Sequence, residues 1–316
     1  MWIRYRFIIW FIKTVEVSTP GRICLFGEHQ DYLGLPVISM GISLRSIIKG
    51  NKRQDQQVII HKPDLGETES FSLNDLNYTK PRDYFKSGIK ICQREGLAFT
   101  SGFECEIISN IPIQAGTGSS SSIMVGWVQF LCNIADKPAD WDQQKIGELA
   151  YNAEVREFNE PGGMMDQYSS AMGHLIYLES IPKIYIRQLN LNLGTFVLGN
   201  SREQKDTMGI LQHCRDSRLD IIRKIEKSNP RFDLHNYNKN VDLSTLDDQE
   251  RILFNGTIQN RDILKNALPE LEKNKPNHRL IGQLLSSHHQ VLRDVLNVST
   301  PKIESMLNAA LNAGAL

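Results

Sequence analysis

Three clusters in this sequence bring together residue types that can do chemistry. In PGRICLFGEHQDYLG, residues 20–34, Arg22, Glu28, His29, Asp31 and Tyr32 crowd a segment punctuated by glycines. A strand end followed by a tight turn would present these groups together, and such a set of donors and acceptors can grip several hydroxyls of a sugar. The alternative is a solvated turn whose charges are incidental. In IQAGTGSSSSIMV, residues 113–125, Gly116 and Gly118 let the backbone turn sharply and approach a ligand closely. Ser119, Ser120, Ser121 and Ser122 then run into an apolar stretch with the length of a buried helix. A helix starting near Ser120 would aim free N–H groups and its positive dipole end at the loop, which suits phosphate. Serine hydroxyls add donors and can ligate Mg²⁺. No Lys follows the second glycine, so this is not a Walker A loop, and a serine-capped helix or a flexible linker would fit the pattern as well.

The third cluster is EVREFNEPGGMMDQYSSAMG, residues 154–173. Glu154 continues a helical pattern of apolar residues at Ile146, Leu149, Ala150 and Ala153. Pro161-Gly162-Gly163 breaks the chain, and Asp166 follows two methionines. Burial penalises a carboxylate unless a cation opposes it, so an acid in such surroundings invites a functional explanation; its other reading is a helix N-cap.

The elements that must position these groups are mixed. Residues 36–48, 56–61 and 103–109 have strand patterns, and 82–95, 121–135 and 143–159 have helical ones. HLIYLES, KIYIRQL and TFVLGN after Gly173 each read as a strand, and from about 203 the chain is mainly helical, with asparagine-rich loops around 228–245. The apolar run from Phe7 to Ile12, closed by Lys13, is too short for a signal sequence and reads as a first strand.

The resulting expectation is an α+β chain of two domains, 1–175 and 176–316, in keeping with a length of 316 residues. Lys+Arg and Asp+Glu balance at 36 each, which gives no charge case for nucleic acid or an anionic membrane. Five cysteines without a CxxC pair predict reduced thiols and a cytoplasmic protein rather than a disulfide frame or zinc site. No apolar run approaches the roughly 20 residues of a membrane span. His288-His289 could suggest a metal, but neighbours on a helix point about 100° apart, and a solvated face is the simpler expectation.

Taken together and in this order, the three segments resemble the GHMP family of small-molecule kinases, with the galactokinase branch nearest. GRICLFGEHQDYLG is similar to the signature Gly-Arg-x-Asn-x-Ile-Gly-Glu-His-x-Asp-Tyr, departing at Cys24 and Phe26. PIQAGTGSSSSI resembles the phosphate loop, and EPGGMMDQYSSAMG the stretch around P-x-G-I-M-D-Q-F. The resemblance implies a two-domain fold with the active site in the cleft between domains, and a sugar kinase using ATP and Mg²⁺. It assigns Asp166 and Arg22 to catalysis, with Arg22 pairing Asp166 and neutralising charge on the transferring phosphoryl group. Glu28, His29, Asp31 and Tyr32 would contact sugar, Gly116, Gly118, Ser119, Ser120 and Ser121 would cradle phosphate, and Ser120 with Glu154 would hold Mg²⁺. The partners implied are sugar and ATP, with a monomer or small homo-oligomer expected.

In the family a segment like NAGAL runs on into a glycine-rich third motif. The sequence stops at Leu316, so the expectation is a truncated second domain. GNSREQKDTMGILQHCRDSRL lacks a Tyr that galactokinases carry there, and Lys205-Asp206-Thr207 is more similar to other GHMP kinases. Fucose, a uronic acid or mevalonate therefore stays open as the substrate, as does a sugar- and nucleotide-binding regulator without turnover.

Overall fold

The computed structural model describes residues 14–203, 207–237 and 241–316. The expected strand at Phe7–Ile12 and the Lys205-Asp206 pair lie outside the described residues. One seven-stranded sheet carries the fold: β1 (Val15–Phe26), β2 (Val37–Lys52), β3 (Gln57–Lys62), β4 (Glu67–Ser72), β5 (Phe103–Ser109), β6 (Leu175–Glu179) and β7 (Tyr185–Gln188). Its backbone is β2, which pairs antiparallel with β1 from Ile38 to Gly50, with β5 at Ser46–Lys52 and with β6 at Val37–Met40. Among the described residues, only β3 and β5 pair in parallel. β6 and β7 carry the sheet through residue 175, where the sequence patterns suggested a break.

α2 (Ser119–Ile134) and α4 (Met165–Met172) pack on this sheet, and α1 (Tyr84–Arg94) and α3 (Gln143–Glu154) pack on α2. α2 is apolar over most of its circumference and is enclosed by the sheet, by α1 and α3, and by α4 beside it, as an all-round apolar helix must be. Trp127 and Phe130 stack 5.8 Å apart beneath Phe103, and the Trp127 indole N–H donates to the Phe85 carbonyl at 3.0 Å. That indole has both its apolar area and its one donor satisfied, so α2 cannot slide along the sheet. The second half supplies α5 (Thr207–Ser228), α6 (Asp248–Leu271), α7 (His278–Asp294) and α8 (Pro301–Asn312). A capping box at Asp247 and Glu250 starts α6, and its Ile263, Leu264 and Ala267 join Phe26, Ile38 and Leu175 in a second core.

Two expectations fail here. TFVLGN, residues 195–200, forms no strand: Val197 is 94% exposed, and the segment does not pair with β7, which ends the sheet among the described residues. Strand propensity without burial and pairing does not make a strand. The helix expected over 143–159 stops at Glu154, gives one 3₁₀ turn at Arg156–Phe158, and ends on Asn159 in the left-handed region at φ 51°. β4 was not foreseen, because ETESFS carries no apolar alternation for an edge strand to show.

Candidate active site

The three sequence clusters meet at one place. β1 delivers Arg22, whose neighbour Gly21 lies against the backbone of the glycine-serine loop: a Cβ there would sit 2.8 Å from the Thr117 carbonyl. The Arg22 backbone N–H donates to that same carbonyl at 3.0 Å, which ties strand to loop. The Arg22 side chain then forks. Its Nε donates to Asp166 Oδ1 at 2.7 Å, its Nη2 pairs with Oδ2, and its Nη1 donates to the Gly116 carbonyl. This is a bidentate, charge-assisted pair that fixes both position and angle of the carboxylate. Burial works to lower the Arg22 pKa, but the Asp166 and Glu28 carboxylates outweigh it and push it up.

The serines do not cap the helix they begin. The N-cap of α2 is Gly118, in the left-handed region at φ 69°, and it makes no side-chain cap bond. Any side chain at 118 would press on Arg22, whose Cγ lies 3.1 Å from the position a Cβ would take. Ser122 turns inward to Thr19 and Ser46, with Oγ contacts of 3.1 Å to the Thr19 carbonyl and the Ser46 hydroxyl. Ser120 Oγ donates to Glu154 Oε1 at 2.6 Å, and Ser121 Oγ accepts from Gln167 Nε2 at 3.2 Å. No side chain thus takes up the first N–H groups of α2, which leaves a helix N-terminus suited to an anion above Gly116, Gly118 and Ser119.

Glu154 closes α3 under this loop. Its Oε2 accepts from Gln167 Nε2 at 2.7 Å, and it has no cationic partner among the described residues. Burial raises its pKa, opposed by the hydrogen bonds from Ser120 and Gln167. A buried carboxylate touching a hydroxyl, with no cation beside it, is a donor set that fits Mg²⁺ carried in on a nucleotide, since that ion takes only one or two protein oxygens. Among the described residues no three His, Cys, Asp or Glu side chains cluster as a closed metal site.

Asp166 is not an N-cap either. α4 begins after Met164 without a side-chain cap, and the Asp166 carboxylate turns to Arg22 and stays 30% exposed. The N–H group of Met165 is taken instead by Asp31 Oδ2, at 3.0 Å. Gly163 makes room for that hydrogen bond: a Cβ there would lie 1.9 Å from Asp31 Oδ2. Gly163→Ala should therefore lower the melting temperature by a few degrees, the cost of roughly 1–3 kcal/mol of overpacking. Thermal unfolding of the pure variant measures this; an unchanged melting point would remove this account of the glycine.

The signature segment is not a solvated turn. His29 and Gln30 are buried, and Gln30 Nε2 donates to the Pro36 carbonyl at 2.6 Å, closing the loop on itself. From behind, α5 brings the buried guanidinium of Arg218, which donates to the His29 carbonyl and, at 2.6 Å, to the Tyr32 hydroxyl, with its charge 5.4 Å over the Tyr32 ring. Glu28 Oε1 lies 3.8 Å from His29 Nε2. Cys24, where the signature has Asn, is half-buried; its thiol donates toward the Phe26 carbonyl at 3.4 Å, and burial together with Glu28 pushes its pKa well up. All five cysteines are free thiols.

The expectation of a solvated His288-His289 face is corrected. His288 is buried 6.1 Å from the Phe26 ring, and burial lowers its pKa to about 4. His289 points away and pairs with Glu304 at 2.6 Å. The divergence of adjacent helical side chains holds, but one of the two faces the core. Gln167 and Arg218, which fix Glu154 and the signature loop, were not foreseen. Gln167 stood in a quoted segment with no role, and Arg218 carried no local signal.

The three clusters thus form one site, and comparison with known proteins bears on what it is. A family model for the GHMP kinases N terminal domain matches residues 83–174, and the chain carries that domain. It also carries the galactokinase galactose-binding signature, matched over residues 12–52. The chain is 25% identical over 312 residues to the galactokinase of Pasteurella multocida strain Pm70, covering 94% of this chain and 79% of that one. It is 26% identical over 312 residues to the mevalonate kinase of Thermococcus gammatolerans, covering 96% and 84%. The fold matches the crystal structure of Lactococcus lactis galactokinase complexed with galactose at a TM-score of 0.82 and 21% identity, covering 95% and 80%. These likenesses support a GHMP kinase of a sugar or a related small molecule. Among the described residues, no helix is long and apolar enough to cross a membrane.

Proposed function

We propose that this chain is an ATP-dependent sugar kinase that transfers the γ-phosphoryl group to the anomeric hydroxyl of galactose or a related hexose in the cytoplasm. The observation that carries the reading is the Arg22–Asp166 pair set at the rim of an uncapped, glycine-bounded helix N-terminus. Phosphoryl transfer asks for positioning and charge stabilisation more than for covalent chemistry. Asp166 orients the attacking hydroxyl and accepts its proton at the carboxylate. Arg22, locked to Asp166 and to the Gly116 carbonyl, faces the charge that develops on the phosphoryl oxygens. The N–H groups following Gly118 hold phosphate. Ser120 and Glu154 would hold Mg²⁺, which when bound neutralises the β- and γ-phosphate oxygens. Glu28, His29 and Asp31 hydrogen-bond sugar hydroxyls, and the wrong epimer would leave one of these polar groups unpaired against the sugar.

Two observations favour a non-galactose substrate as the second reading. Cys24 replaces the amide of the signature, and mevalonate kinases match at the same identity as galactokinases. ADP release from Mg-ATP over a panel of hexoses, fucose, uronic acids and mevalonate tests both. Turnover with one hexose carries the proposal, and turnover with mevalonate alone replaces it. Saturable sugar binding without turnover on any substrate turns the protein into a sensor.

Asp31 gives the reaction a pH signature. Burial raises its pKa from 3.8 to about 6, against the hydrogen bond from Met165. The folded state thus binds the proton more tightly than the unfolded chain does. Through this group, stability falls as pH rises from about 4 to about 6 and is level above that. An ionised Asp31 accepts from sugar, so kcat/KM for sugar should rise with pH through an apparent pKa near 6. Asp31→Asn should abolish that acidic limb; a profile unchanged in the variant would reassign the titration.

A further inference from the structure

A second cavity lies behind α4, on the far side of that helix's length from the transfer chemistry. It has a volume of about 460 Å³ and is walled by β1 and β2 and by the later turns of α2, the start of α3 and the end of α4. That is the size range of small-molecule sites. Its lining mixes Ile146 and other apolar residues with Gln129, Gln143, Ser170, His174 and Arg45, and it contains no carboxylate.

Two features make this more than a packing gap. Ser170, a lining residue, is 1% exposed, and among the described residues its buried Oγ has no hydrogen-bond partner, an arrangement that costs about 1–3 kcal/mol unless something satisfies it. Arg45 is pinned at the wall by its neighbour strand: Nε donates to Ser18 Oγ at 2.7 Å and Nη2 to the Ser18 carbonyl at 2.8 Å. This fixes the guanidinium plane and leaves Nη1 without a protein partner among the described residues. The turn that follows α4 closes the wall, with Gly173 and His174 both in the left-handed region, at φ 64° and 55°, and the His174 carbonyl accepting from Gly41 at 2.9 Å.

We infer that this cavity is a second ligand site, separate from the catalytic cleft, for a small hydroxylated anion of the sugar-phosphate class. A fixed guanidinium with no opposing acid in the lining selects a negative charge. Two side-chain amides and a buried, unpaired hydroxyl can each donate to and accept from sugar hydroxyls, and Ile146 covers a ring face. Neither Asp166 nor the phosphate loop lines this cavity. The inference stands apart from which substrate the kinase takes.

Isothermal titration of the full chain with glucose 6-phosphate, and separately with inorganic phosphate, tests it. Glucose 6-phosphate should bind saturably with a sub-millimolar dissociation constant, and inorganic phosphate about tenfold or more weaker. Arg45→Gln should weaken glucose 6-phosphate about tenfold or more; Arg45 is exposed, so the fold tolerates the change. Ser170→Val, checked by its melting curve, should weaken it similarly, and Asp31→Asn, which alters a sugar contact of the catalytic cleft, should leave it unchanged. The inference is overturned if glucose 6-phosphate does not saturate. It is equally overturned if Arg45→Gln leaves binding unchanged, and weakening by Asp31→Asn in its place would put the probe in the catalytic cleft. Inorganic phosphate binding as tightly as glucose 6-phosphate would overturn the sugar-phosphate assignment.

Discussion

Asp166→Asn should reduce kcat by about 10³-fold while leaving the sugar KM within a few-fold and the fold intact. A positioned general base contributes roughly 10²–10⁴-fold, and Asn keeps the shape and one acceptor while losing the ability to take a proton. The retained Oδ1 can still accept from Arg22 Nε, at 2.7 Å in the native pair, so the mostly buried guanidinium is not left bare. Arg22→Met removes the other half. It deprives Asp166 of its lock and the phosphoryl group of its counter-charge, and should cost about as much. Because the two act as one device, the double variant should be little slower than either single one, as is usual when coupled catalytic groups are removed together. Steady-state kinetics on the three variants decides this; additive losses would mean that Arg22 and Asp166 serve separate steps.

Glu154→Gln should lower kcat/KM for Mg-ATP by roughly 10²-fold and shift half-saturation to higher Mg²⁺, since a neutral oxygen is a poorer partner for a hard cation. The exchange also removes a buried charge. Burial raises the folded-state pKa of Glu154 above its ordinary 4.5. The wild-type protein therefore loses stability through this group as pH rises from 4.5, and the Gln variant does not. The variant should melt no lower than wild type at neutral pH while being much slower. Activity restored by excess Mg²⁺ would identify the defect as metal affinity; a loss that no Mg²⁺ concentration recovers would point to a positioning role for Glu154 instead.

Much of this site was legible because its side chains are dense in sequence. Segments 20–34, 113–125 and 154–173 each announce themselves by residue types that a mere loop or linker seldom gathers. The sequence could not say which reading of each was right. Serines at a helix start are usually caps, and only the position of Glu154 under the loop shows Ser120 turned away from that duty. Asp166 fits an N-cap until Arg22 arrives from 144 residues away to claim it. The strand patterns succeeded where the residues are buried in the sheet and failed at TFVLGN, whose Val197 stays 94% exposed and unpaired. Gln167 and Arg218 escaped notice for opposite reasons. One is a common amide inside a recognised segment, whereas the other stands 186 residues beyond the Tyr32 hydroxyl it holds.

That last distance bears on the order in which the protein becomes competent. A nascent chain that has emerged as far as α4 already contains β1, the 113–125 loop, Glu154 and Asp166. Arg218 comes later, with α5, to hold the His29 carbonyl and the Tyr32 hydroxyl. The groups gathered around Asp166 are thus complete in the growing chain before the support behind residues 29 and 32 has been made.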